Sequence, residues 1–135
     1  MVRAVAALAN GGTLVTPSIT EPLDSETFAK LSFEEEDLQV VREGMRMVVT
    51  EGGGQLLNSL PFSVAAKTGT AQVGVQKRFV NAWMVGFFPY EQPRYSFVFL
   101  MEHGPGGEAV VGASRAASPF FTWLAENAPE YTTAE

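Results

Sequence analysis

Lys67-Thr68-Gly69-Thr70 sets an ammonium and two hydroxyls around a glycine, inside an otherwise apolar stretch. A cation with hydroxyl donors at that spacing is equipment for holding a carboxylate, because charge-assisted hydrogen bonds are the strong ones. The stretch reads as a strand. With a period of two, Thr68 and Thr70 share one face while Lys67, Gly69 and Ala71 share the other. A twisted edge strand still directs the amine and both hydroxyls toward one groove. Gly69 leaves the backbone open to whatever lies along the strand, and an edge strand accepts an extended peptide by strand addition. A lone K-T-G is, by default, a surface strand with a solvated lysine and two β-favouring threonines. The surrounding sequence decides between the two.

The other polar candidates weigh less. His103 is the single histidine, so a histidine-based triad needs a serine and a carboxylate gathered around it. Glu102 and Glu108 are near it in sequence, but no i, i+4 pair of metal ligands is present. A structural residue at a strand end is the simpler reading. Lys77 and Arg78 read as a solvated loop that could border a groove. Trp83, Phe87 and Phe88 read as core. The acidic run from Glu34 to Asp37 reads as the start of a helix rather than a cation site.

These residues need elements to position them. Val2 to Asn10 reads as a helix, with Val2, Val5, Ala6, Leu8 and Ala9 on one side and Asn10-Gly11-Gly12 as its stop. Met1 stands almost inside that pattern, either as an initiator methionine or because the chain is cut from a longer one. Thr13 to Thr20 is a short extended stretch, followed by a loop marked by Pro17, Pro22 and Asp24. A second helix begins at Ser32, where Ser32 and Glu35 have capping-box spacing. Leu38, Val41, Met45 and Val48 form its apolar face, and Gly52-Gly53-Gly54 ends it. Three runs rich in Val, Phe, Trp and Tyr follow: Phe62 to Gln72, Val80 to Pro89 and Tyr95 to His103. The short link from Pro89 to Pro93 makes the second and third an antiparallel hairpin. Ala82 to Phe88 is apolar on both faces and needs cover from both sides. Gly112 to Asn127 reads as a closing helix with Phe120, Phe121 and Leu124 on its apolar face, and Pro119 near its first turn or at a kink. The fold class is α+β, an antiparallel three-strand meander packed with helices.

Composition closes off several classes. The 135 residues are 46% hydrophobic and 18% charged, which excludes disorder for the chain as a whole. No cysteine is present, so disulfides, thiolate metal sites and a cysteine nucleophile are excluded. A net charge of -6 argues against nucleic-acid binding, whose affinity comes from neutralising phosphates. No apolar run approaches the roughly 20 residues of a membrane helix, and no signal-peptide pattern opens the chain.

K-T-G, together with S-x-x-K and an S-D-N-type triplet, is the signature of penicillin-binding proteins and class A β-lactamases. The resemblance reaches beyond it. Met1 to Gly12 resembles the helix before the third motif of class B penicillin-binding proteins, with Leu14-Val15-Thr16-Pro17 following it. Val41 to Val49 is similar to the next helix of that family. Ala65 to Gln72 resembles the third motif with its usual neighbours. Ala82 to Tyr90 and Glu102-His103-Gly104 resemble the two strands beyond it. Within the family the sequence is most like the penicillin-binding protein 2 group of cell-elongation transpeptidases.

The resemblance implies a penicillin-binding protein/serine β-lactamase-like fold and a parent that cross-links peptidoglycan stem peptides by serine acyl transfer, without metal or cofactor. It implies that Lys67, Thr68 and Thr70 bind the terminal carboxylate of a stem peptide or β-lactam along the wall opened at Gly69. The Thr70 backbone N–H becomes one of two oxyanion donors. The parent is expected outside the cytoplasm, anchored in the cytoplasmic membrane. However, no serine in the chain is followed three positions later by lysine or two positions later by asparagine. The expectation is therefore a C-terminal fragment, residues 1–135, of a transpeptidase domain, itself unable to be acylated. Rival readings are a serine β-lactamase or D,D-carboxypeptidase fragment, and a non-catalytic sensor or docking module that keeps the groove. In the family fold the third strand here pairs with a strand this chain does not contain. That leaves an apolar edge from Tyr95 to His103 for self-association.

Overall fold

The computed structural model describes residues 1–20, 29–106 and 112–132. Pro22, Asp24 and Glu108 lie outside the described residues. Helix α1 (Val2–Ala9) ends as its glycines predict. Gly11 and Gly12 take φ of +78° and +95°, and the Gly12 N–H returns to the Ala7 carbonyl at 2.7 Å. Asn10 and Thr13 exchange two 2.8 Å hydrogen bonds between the amide side chain and the backbone. The extended stretch that follows is shorter than expected. Strand β1 (Thr13–Leu14) pairs antiparallel with β2 (Ala29–Lys30).

That small ladder also moves the start of the second helix. The Leu31 N–H bonds the Gly12 carbonyl at 2.9 Å, which keeps the chain extended through Ser32. Helix α2 runs Glu35–Thr50 with Glu34 at its N-cap and no side-chain capping bond, so Ser32 and Glu35 form no capping box. Glu35, Glu36 and Asp37 still fill the first turn, where carboxylates complement the helix dipole. The buried face keeps Leu38 and Met45 of the predicted one and differs in the rest. Leu38, Met45 and Val49 are buried, while Val41 is 44% exposed. Two stripes at helical spacing compete here, and arginine anchoring selects one. Arg42 reaches the Tyr90 carbonyl at 3.4 Å and lies 5.6 Å from the centre of the Phe87 ring. Arg46 donates to the Val64 carbonyl at 3.0 Å. Those bonds turn the stripe beginning at Leu38 toward Val49.

The sheet is the predicted meander. Strands β3 (Ala65–Val73), β4 (Phe79–Phe88) and β5 (Tyr95–Pro105) lie in the order β3-β4-β5, all antiparallel. Both faces are covered, as the doubly apolar β4 requires. On one face Ala66, Met84, Phe88 and Phe97 pack with Val49, Leu57, Ala117 and Phe121. On the other, Ala65 and Phe87 pack with Val5 of α1 and Met45 of α2. Helix α3 (Ser114–Asn127) supplies Phe121, and Pro119 is accommodated inside it rather than in its first turn. Phe121 stands 5.0 Å from Phe97, 5.2 Å from Phe88 and 6.0 Å from Phe62, ring centre to ring centre. Edge-to-face contacts of this kind add to what burial alone contributes.

Candidate functional site

Strand β3 is an edge of the sheet among the described residues, and its exposure changes along its length. Ala65 and Ala66 are fully buried, Lys67 is exposed, Thr68 is half-buried, and Gly69 to Gln72 are exposed. The apolar start of the strand anchors it, and the polar part emerges beyond the core. Helix α2 and the turn after it lie against this part of the chain. Arg46 grips the carbonyl of Val64 just before the strand. The glycine turn after α2 passes against Thr68, whose hydroxyl lies 3.5 Å from where a Cβ on Gly53 would stand.

The register gives the side chains their faces. Lys67 is opposite Val85 and Gly69 opposite Trp83, while Thr68 is opposite Met84 and Thr70 opposite Ala82. The strand therefore alternates regularly. Even so, one groove touches every residue from Lys67 to Ala71. It has a volume of about 360 Å³ and is completed by Met1, Trp83 and Val85. Trp83 thus contributes to the groove as well as to the fold, which its apolar run did not reveal. The Lys67 ammonium folds back onto the Thr68 carbonyl at 2.5 Å. It is exposed, so an incoming carboxylate exchanges a backbone partner for a charged one.

The remaining candidates lie apart from it. His103 sits at a β-bulge with φ of +53°, its N–H held by the Asn81 side chain at 3.0 Å and its ring 5.6 Å from that of Phe79. This is the strand-end structural role expected of it. Lys77 and Arg78 occupy the turn between β3 and β4, with Gln76 and Lys77 both at positive φ. A larger cleft of about 580 Å³ lies at the other end of the sheet, lined by Arg46, Asn58, Ser63, Pro89 and Glu91. There the Ser63 hydroxyl donates to the Glu91 carboxylate, and the Tyr90 N–H bonds Ser63. That hydroxyl is committed to a turn, and no lysine or histidine stands among the residues lining the cleft. Sequence reading missed this pair because residues 28 positions apart meet only through the β4–β5 turn.

The described residues thus form a helix-covered antiparallel sheet with lysine, threonine and glycine along one edge. The chain belongs to the penicillin-binding protein transpeptidase domain family, whose model matches residues 1–122. It is 30% identical to stage V sporulation protein D of Bacillus subtilis, over 96% of this chain and 22% of that protein. Among solved structures, penicillin-binding protein 2 of Helicobacter pylori, in its complex with MreC, matches with a TM-score of 0.69 at 28% identity. That match covers 95% of this chain and 24% of the other. The transpeptidase domain of the FtsI4 D,D-transpeptidase from Legionella pneumophila matches with a TM-score of 0.66 at 27% identity, over 95% of this chain and 44% of that domain. The chain thus spans about a fifth of the curated relative and less than half of an isolated transpeptidase domain.

Proposed function

We propose that this chain forms the substrate-binding wall of a peptidoglycan D,D-transpeptidase acting on the outer side of the cytoplasmic membrane, within a membrane-anchored parent. Stem peptides and β-lactams are its ligands, and no metal or cofactor takes part. The observation that carries this reading is the groove along β3, in which Lys67 and Thr70 stand exposed and Thr68 half-buried, beside a strand edge unpaired among the described residues. A peptide ending in a carboxylate lies extended along that edge. Lys67 supplies the positive charge, and the Thr68 and Thr70 hydroxyls donate to the carboxylate oxygens. Gly69 keeps the backbone approachable. The Thr70 N–H serves as an oxyanion donor once an acyl carbonyl is attacked.

The attacking serine comes from sequence outside these 135 residues, in keeping with the coverage of 44% of a transpeptidase domain. The carbonyl would pass to that serine with loss of the terminal D-alanine, and an amine of a second stem peptide would take up the acyl group. By itself this chain holds the wall without the nucleophile. A fluorescent penicillin is therefore expected to leave no covalent adduct on the chain, and a stable adduct would overturn the assignment of the serine to another segment. Titration with an acyl-D-Ala-D-Ala peptide is expected to move the amide resonances of Lys67 to Gln72. Shifts confined to the cleft around Ser63 would overturn the assignment of the groove.

A further inference from the structure

We infer that a second pocket, bounded by the turn after α1, strand β2 and the first half of α2, takes the carboxylate of a small ligand that carries an apolar group. The pocket has a volume of about 380 Å³ and shares no residue with the groove along β3. Lys30 and Arg42 are the two cations in its wall. In a chain with a net charge of -6, cations are expected to find carboxylates, and neither of these does among the described residues. The Lys30 ammonium donates to the Gly11 carbonyl, and the Arg42 guanidinium donates to the Tyr90 carbonyl.

Arg42 is the less satisfied of the two. Its Nη2 bond to Tyr90 is long, at 3.4 Å, and its Nε is buried with no hydrogen-bond partner among the described residues. Buried donors are almost always paired, so an orphan one calls for an acceptor. Nε and Nη2 form one side of the guanidinium fork, and such a side grips a carboxylate through two parallel bonds. A turn of the side chain into the pocket exchanges one long bond for two charged ones. Lys30 is exposed and keeps N–H donors beyond the one given to Gly11.

The rest of the wall narrows the ligand. Glu35 is the carboxylate lining the pocket, and against the two cations it leaves a surplus of one positive charge. A single negative charge balances that surplus, whereas Glu35 repels a phosphate dianion. The Gln39 amide is engaged along the helix by Glu43 at 2.8 Å. Leu38 adds a buried apolar surface to the wall, and Phe33, 51% exposed, adds an open aromatic one. A cavity that joins apolar surface to a few fixed polar groups is the usual form of a small-ligand site. The ligand class is therefore an aryl or alkyl carboxylate, including the C-terminal residue of a peptide with an apolar side chain. This inference is independent of the role given to Lys67.

3-Phenylpropionate and its neutral amide test it as a matched pair by NMR titration of the chain. The acid is expected to shift the Arg42 Nε–H resonance and the backbone amides of Gly11, Phe33 and Gln39 in a saturable way, and the amide to leave them in place. Lys30→Gln is expected to weaken the acid about fivefold, the upper range for an exposed charge pair, with unchanged circular dichroism. Arg42→Lys keeps the charge and loses the fork, so its loss is expected to exceed that of Lys30→Gln. Lys77→Gln controls for general loss of positive charge and is expected to change nothing at this pocket. Any response along Lys67 to Gln72 is expected to be the same in Lys30→Gln as in the unaltered chain. Equal shifts from acid and amide, an affinity unmoved by Lys30→Gln or by Arg42→Lys, or inorganic phosphate binding more tightly than the acid would overturn the inference.

Discussion

Phe97 lies across the sheet from Gly86, so close that a Cβ on Gly86 would stand 2.7 Å from its ring and 2.2 Å from the Ala65 carbonyl oxygen. The central strand thus has a side-chain-free position where both neighbouring strands close in. Gly86→Ala must push the Phe97 ring out of the aromatic cluster and strain the β3–β4 ladder. Overpacking of this kind costs about 1–3 kcal/mol, and backbone contact at 2.2 Å places it at the upper end. Denaturant unfolding of the variant checks this. A midpoint within experimental error of the parent would show that the sheet relaxes around the methyl group.

Gly44 predicts the opposite sign. It lies inside α2, and no atom stands within 4 Å of where its Cβ would be. A glycine in an exposed helix interior gives up about 0.5–1 kcal/mol relative to alanine through backbone entropy. Gly44→Ala is therefore expected to raise stability by that amount, visible as a higher unfolding midpoint at unchanged slope.

Removing Phe121 tests the core that α3 shares with the sheet. The side chain has no exposed surface, and its ring touches those of Phe62, Phe88, Phe97 and Phe99. Phe121→Ala is expected to cost about 3–5 kcal/mol, transfer and cavity terms together. Phe120→Ala, at a position already 45% exposed, is expected to cost markedly less. Equal losses at the two positions would contradict the packing described.

The Ser63–Glu91 pair predicts a pH dependence. The Ser63 hydroxyl holds the Glu91 carboxyl below its usual pKa, with a smaller contribution from the nearby Arg46 charge and some opposition from burial. A carboxylate whose pKa is lowered on folding stabilises the fold above its unfolded value of about 4.3. That contribution fades as the pH falls through the lower, folded value. Because Glu91 is exposed, the effect is small. Ser63→Ala is expected to raise the Glu91 pKa toward the ordinary range and to flatten stability against pH below about 4.5. A carboxyl-carbon titration by NMR reads the shift directly, and an unchanged Glu91 curve would remove Ser63 as its cause.

Much of this arrangement is legible in the sequence, and what is not has physical causes. Strand alternation and turn residues marked all three strands of the meander, because apolar runs broken by glycine and proline have few alternative readings. The Gly11-Gly12 stop was readable because both glycines take positive φ. The face of α2 was legible in part: Leu38 and Met45 are buried as the period predicts. Val41 and Val48 fit that period as well as Val49 does, and the bonds from Arg42 and Arg46 to the carbonyls of Tyr90 and Val64, just outside the strands, choose between them. The cap at Ser32 failed for a similar reason, since the β1–β2 ladder holds that residue outside the helix. In the groove, Lys67 to Thr70 were readable as one motif. Trp83 and Met1 were not, because they arrive through sheet register and helix placement rather than through spacing along the chain.

The strongest test of the groove pairs a change in the protein with a change in the ligand. If Lys67 holds the terminal carboxylate, removing either partner removes the same interaction. Charge-assisted hydrogen bonds contribute about 1.5–3 kcal/mol, and an exposed lysine in an open groove belongs at the lower end, about tenfold in affinity. Lys67→Met is therefore expected to weaken an acyl-D-Ala-D-Ala peptide about tenfold. The same peptide capped as a C-terminal amide is expected to lose about as much against the unaltered chain. Combining the two changes adds little further loss, since non-additivity of this kind marks two groups in direct contact. Lys77→Met serves as the control for general loss of positive charge, and it is expected to leave the difference between acid and amide intact. Isothermal titration or NMR shift titration measures all four combinations. Losses that simply add would place the carboxylate away from Lys67 and leave Thr68 and Thr70 as its remaining partners on this strand.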